Sequence, residues 1–158
     1  MGVSVSGLDD VARYIDNEAK RMIDVFLDDL DYVGLQVVKY IRNRSAEESW
    51  MDQTGNLRSS IGYVVVRNGV IVKKGGFEKV DGPKREEAKE DGSNIGEGFA
   101  ERLAERYTKG YALIIVAGME YASYVEDMDS KDVLKSGELE AERLVTKLVD
   151  DYNKMKAR

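Results

Sequence analysis

The chain lacks cysteine and histidine altogether, and it has a single proline and a single tryptophan in 158 residues. Without cysteine there is no disulfide framework, no thiolate nucleophile and no Cys-ligated zinc or iron–sulfur cluster. Without histidine there is no Ser-His or Cys-His pair and no imidazole general base, and most transition-metal sites lose their commonest ligand. Long apolar runs are missing as well. The stretch Ala112 to Ala117 falls far short of the roughly 18 residues a membrane-spanning helix needs. No basic region followed by an apolar stretch opens the chain, so secretion is not indicated. Lys and Arg number 24 against 30 Asp and Glu, a formal charge of −6. The two signs are interleaved, as in Lys73-Lys74 followed by Glu78. This is a poor composition for a general grip on nucleic acid, which needs clustered cations.

What is present suits one domain spanning residues 1–158. Hydrophobic residues reach 42%, and a chain of this size can bury about 70% of its unfolded surface without staples. Leu8, Ala12, Ile15, Ala19, Met22, Phe26, Leu30, Val33, Val37 and Ile41 recur every three or four residues, which draws one stripe along a helix from about residue 8 to 44. Ser6 followed by Asp9 resembles a capping box. Asp9, Asp10, Lys39, Arg42 and Arg44 have the signs that suit the two ends of a helix dipole. Such a helix would run roughly 55 Å, longer than a small domain is wide, so one end is expected to project or to pack on a neighbour. Gly34 within it suggests a kink or a close contact with another chain.

Residues 45–56 interrupt the pattern, and Thr54-Gly55-Asn56 has turn chemistry. Ser60 to Lys74 reads as a β-hairpin about Asn68-Gly69, a two-residue turn in which both positions tolerate positive φ. Gly75 to Gly98 holds six glycines, the proline and a dense mix of charges, so a flexible insertion is expected there. Phe99, Leu103 and Tyr107 suggest a short helix ending at Gly110. Tyr111 to Ala117 is the clearest strand, apolar enough to be buried on both faces. Asp132 to Leu134 is read as a short strand, and Ser136 as the cap of a final helix with acids first and bases last. The fold class is α+β: long N- and C-terminal helices packed on a small, mostly antiparallel sheet of three to four strands.

Two segments concentrate the candidate functional residues. In Trp50 to Ser60, Trp50 and Leu57 are expected to anchor the core, while Asp52 and Arg58 are candidates for polar contacts to a partner. In Gly118 to Asp127, Tyr121 is expected to be structural, and Tyr124 and Glu126 are candidate contact residues. Glu120 and Glu126 could serve as an acid and base only if a cleft set their separation, and close acidic pairs are expected by chance in so acidic a chain. Asp127 to Asp132 resembles part of a calcium loop but has Asp132 where that loop needs Gly. Ser59, Ser60 and Ser123 have no lysine at a spacing that supports a Ser–Lys pair. No P-loop or dinucleotide fingerprint is present. The reading is a non-enzymatic protein with no catalytic residues, metal or cofactor.

Taken together, Thr54-Gly55-Asn56-Leu57-Arg58-Ser59-Ser60-Ile61 leading into a hairpin, and Tyr121-Ala122-Ser123-Tyr124-Val125-Glu126 after a strand and before a C-terminal helix, resemble the tailed-phage head–tail joining proteins. These are also called neck or tail-completion proteins, or minor tail components. The resemblance covers roughly residues 50–74 and 111–135. It departs from the family after Glu126, where Asp127-Met128-Asp129 replaces a Gly-Thr step and a Pro-rich stretch, and in the length of residues 75–110. It implies a virion structural protein, made in the bacterial host cytoplasm, that forms a homo-oligomeric ring between portal or connector and tail proteins. DNA would pass through that ring without specific binding, and no membrane would be involved. An acidic lining of the channel would be consistent with such passage. The alternative is a small non-enzymatic binding module or regulator that holds one soluble partner in a one-to-one complex. A carboxylate hydrolase built on Glu120 or Glu126 is a third class.

Overall fold

In a computed structural model of the chain, residues 6–44, 51–127 and 133–156 are described. The first helix, α1, spans Leu8–Arg42, as the three-and-four spacing of its apolar residues requires. Its cap is Gly7, in the left-handed region at φ 88° and without a side-chain cap, so the Ser6–Asp9 capping box does not form. Only the second half of the apolar stripe is buried: Leu27, Leu30, Val33, Val37, Val38 and Ile41 are in the core. Leu8, Val11, Ile15 and Met22 are half or more exposed.

A four-residue helix, α2 (Asn56–Ser59), leads into β1 (Ile61–Arg67), which turns at Asn68-Gly69 into β2 (Val70–Gly76). Asn68 and Gly69 adopt φ 51° and 81°, the positive values a two-residue hairpin turn demands. After a single 3₁₀ turn at Arg85–Glu87 comes α3 (Gly92–Ala104), then β3 (Tyr111–Ala117), α4 (Ala122–Asp127) and α5 (Lys135–Lys156). Among the described residues the sheet has three strands in the order β2-β1-β3, with both pairings antiparallel. Val133 and Leu134 lie in a bend entering α5, not in a strand, and Asp132 is outside the described residues. Ser136 is not the cap of α5; it lies within the helix and accepts a hydrogen bond from the Arg44 guanidinium.

The alternation of a β-strand divides the core in two. Ile61, Tyr63 and Val65 of β1 face α1, with Leu113, Ile115 and Ala117 of β3 beside them; α5 lies antiparallel along α1 and closes this layer. Val64, Val66, Ile114 and Val116 face the other way onto Ala100, Ala104, Phe99 and Leu103 of α3. β3 is fully buried only on the α3 side; toward α1 and α5 its Leu113 and Ile115 are partly buried.

The region read as an insertion is therefore divided. Gly75 and Gly76 end β2, and Gly92 to Gly98 form the first half of α3, so the expected helix starts seven residues earlier than Phe99 and stops at Ala104. Asp91 caps it by accepting the Ser93 amide (3.1 Å). The glycines that suggested a loop are there for contact. A Cβ on Gly96 would stand 2.2 Å from the Ser60 carbonyl oxygen, and one on Gly118 2.3 Å from the Gly96 Cα. Helix, α2 corner and strand end thus approach backbone to backbone.

Candidate functional site

The two sequence segments that carried the candidates converge at one corner. Asp52 accepts the backbone amides of Gly55 (2.9 Å) and Arg58 (2.7 Å), which fixes the entry into α2. Gly55, at φ 83°, supplies the left-handed step that the turn needs. The α2 turn buries Leu57 at 1% exposure and aims the Arg58 side chain back at the end of α1. There the guanidinium donates to the carbonyls of Arg42 and Arg44 (the latter 3.1 Å). A cation at the negative end of the helix satisfies acceptors that have no intrahelical donor. Arg42 itself donates to the Glu78 carbonyl (2.9 Å). Burial lowers its guanidinium pKa; Glu78 opposes that effect and the nearby Arg58 adds to it.

Ser59 and Ser60 are buried, and their hydroxyls are engaged by backbone. The Ser59 hydroxyl donates to the Gly55 carbonyl (2.6 Å) and accepts the Val80 amide (2.8 Å). The Ser60 hydroxyl donates to the Leu57 carbonyl (2.8 Å) and accepts the Gly118 amide (3.1 Å), tying the α2 corner to the end of β3. Neither faces a base among the described residues.

Tyr121 stands at the mouth of this corner, 40% exposed, on the same depression as Thr54. Burial raises its phenol pKa and the Asp52 charge adds to the rise, while the nearby Thr54 hydroxyl works against them. Tyr121, Asp52, Thr54, Met119 and the 87–90 segment line an open depression of about 610 Å³. Tyr121 is thus half solvated, a rim residue more than a core anchor. Trp50 lies outside the described residues. Tyr124 and Glu126 lie on α4, but their side chains are outside what is described. Glu120 is exposed in the turn before α4. No group of three or more acidic side chains is arranged to hold a metal ion among the described residues, and no helix there is long and apolar enough to cross a membrane.

The corner can therefore bind and brace, and its polar groups are largely engaged in holding backbone. Several residues that matter were not singled out from sequence. The Tyr63 ring lies between Gly34 and Gly75, and its hydroxyl donates to Asp31 (2.7 Å). Tyr152 donates to Asp29 (2.8 Å) and ties α5 to α1. Asn56, buried at 5%, accepts from Arg85 (2.6 Å) and pins the 3₁₀ turn. Gly34 carried a signal, since a glycine inside a helix stripe implies a close approach; the approaching group is Tyr63 of the same chain. No protein-family model matches the chain, and neither a curated protein nor a solved structure shows significant similarity to it.

Proposed function

We propose that this chain is a non-enzymatic subunit of a tailed-phage neck, joining head and tail as a ring around the DNA channel. The observation that carries this reading is the meeting of the two motifs behind the resemblance. The hairpin, α3 and β3 lie between them in sequence, yet Thr54 and Tyr121 line one depression, and the Ser60 hydroxyl accepts the amide of Gly118, just past the end of β3 and three residues before Tyr121. The Thr54-to-Ile61 and Tyr121-to-Glu126 segments thus belong to one structural joint that orients α1 and the sheet together.

The physical requirements of a ring are consistent with the rest of the molecule. A cyclic assembly needs two different surfaces on each copy that complement each other and close on rotation. The chain has a projecting half-helix with Leu8, Val11, Ile15 and Met22 exposed and a sheet with two edge strands. The net charge of −6 disfavours adhesion to passing DNA. The test is genetic and visual: particles assembled without this chain are expected to accumulate as filled heads beside free tails in electron micrographs. Normal tailed particles in its absence would refute the joining role.

A further inference from the structure

The two edges of the sheet differ, and the difference identifies how copies meet. The Gly118 amide bonds the Ser60 carbonyl and the Asn68 amide bonds the Gly110 carbonyl. With the β1–β3 register, this turns the even-numbered residues of β3 toward β1. Tyr111, Leu113, Ile115 and Ala117 then direct their amides and carbonyls outward. This outer edge is seven residues long, with no charge, no proline and no register shift. It has none of the devices that protect an edge strand, and no described residue pairs with it. On the α1 side it opens into a groove of about 1050 Å³ between β3 and α5. Leu113 and Ile115 line the groove with Ala141 and Val145, and the charged residues of its wall are Asp127, Glu138 and Glu142 against one cation, Lys135.

The opposite edge has the converse character. β2 carries Lys73 and Lys74, and the register shift between Val65 and Val66 confines its regular part to Lys73–Gly76. The face of α1 over β2, located by the 2.7 Å pair Asp28–Lys73, exposes Val25, Tyr32 and Leu35 (49%, 60% and 37%) and continues to Lys39. It is a ridge of apolar side chains, interrupted by Asp28 in its pair with Lys73 and ending in a cation.

We infer that a second copy of this chain occupies the groove head to tail, its α1 ridge against α5 and its β2 edge alongside β3. Three observations carry this. β2 and β3 are both antiparallel to β1, so they run the same way, and a neighbour related by less than half a turn brings its β2 to β3 as a parallel pair. α5 lies antiparallel to α1, with Gly137 against Ile41 and Tyr152 bonded to Asp29. A neighbour at the same height therefore sets its Lys39 between Glu138 and Glu142, its Leu35 level with residues 143–146 and its Tyr32 level with residues 146–149. Charge meets opposite charge, and apolar ridge meets apolar groove. A two-fold β3–β3 pairing would instead bring acid to acid and would close at two copies.

This interface rests on the ring reading, and its test separates the two. Because the chain has no cysteine, Leu35→Cys with Glu142→Cys in one chain reports the contact through a short bis-maleimide. The expected result is a ladder of covalent oligomers ending in a closed species, with neither single variant linking. Lys39→Glu should dissociate the assembly seen by native mass measurement, and adding Glu138→Lys should restore it. Dimers from Glu142→Cys alone would overturn the head-to-tail arrangement. So would a chain that stays single at every concentration and does not link inside particles. A ring that forms without the Leu35–Glu142 link would overturn this interface and leave the joining role standing. Complete particles made without the chain would remove the joining role whatever the cross-links show.

Discussion

Gly34 shows how a single missing methyl group organises the α1–sheet contact. An added Cβ would lie 2.4 Å from the Tyr63 ring, whose other side lies so close to the Gly75 backbone that a Cβ there would stand 2.7 Å away. Alanine would gain about 1 kcal/mol of helix propensity. Overpacking a filled site costs typically about 1–3 kcal/mol and also shifts Tyr63 from Asp31. Gly34→Ala is therefore expected to be net destabilising, by up to about 2 kcal/mol, read as a lower urea midpoint at unchanged slope; a rise in midpoint would show that the ring can move aside. Asp91 is a second residue whose role is local. Its pairing with Lys79 and its bonds from Ser93 hold its carboxyl down to about 2. Asp91→Ala removes the cap of α3 and should lower the thermal midpoint, whereas Asp91→Asn, which can still cap, should lower it less.

At the scale of elements, α1 is two helices in one. Residues 27–41 form the spine of the core, while the turns before Met22 make no buried contact. A helical segment of that length is marginal in water when nothing packs on it. Amide hydrogen exchange on the isolated chain should thus be fast from Val11 to Arg21 and slowest from Leu30 to Ile41. Equal protection throughout would mean that the first half is already covered by another copy. The end of α1 is held by Arg58. Arg58→Ala removes both donors from the terminal carbonyls, and hydrogen bonds made by a charged group are worth about 1.5–3 kcal/mol. Arg58→Lys should recover only part of that, since an ammonium cannot reproduce the fork that reaches two carbonyls. Full recovery by lysine would reduce the contact to simple charge at a helix end. The hairpin at Asn68-Gly69 was legible from sequence because its turn is chosen locally, by residues that accept positive φ. The first half of α3 was not, because its glycines look like loop residues until Asn56, Ser60 and Gly118 are seen to occupy the space a side chain would need.

Two tyrosines tie helix to sheet and helix to helix across the molecule, and this gives its stability a predictable alkaline limit. Burial, with Asp29 adding, pushes the Tyr152 phenol up to about 12, and burial with Asp31 raises that of Tyr63 as well. Both start from an ordinary value of 10.0. A raised folded-state pKa means that the unfolded chain releases its protons first, so the stabilisation is complete below pH 10 and is lost as the pH climbs toward 12. Thermal midpoints should fall across that window, and the fall should flatten in Tyr63→Phe with Tyr152→Phe. An unchanged slope in the double variant would assign the alkaline loss to other groups.

The amino-acid order by itself settled what depends on neighbours along the chain. The long helix follows from apolar spacing and the tight hairpin from turn chemistry. The acidic balance and the missing thiols and imidazoles are matters of counting. Tertiary structure decided what depends on distant residues arriving at one point. It placed Arg58 at the end of α1, set Tyr121 beside Thr54, packed the ring of Tyr63 onto a glycine of a helix, and left one side of β3 open while covering the other. Those outcomes arise from contacts between segments with no shared period, so only the packed chain could reveal them.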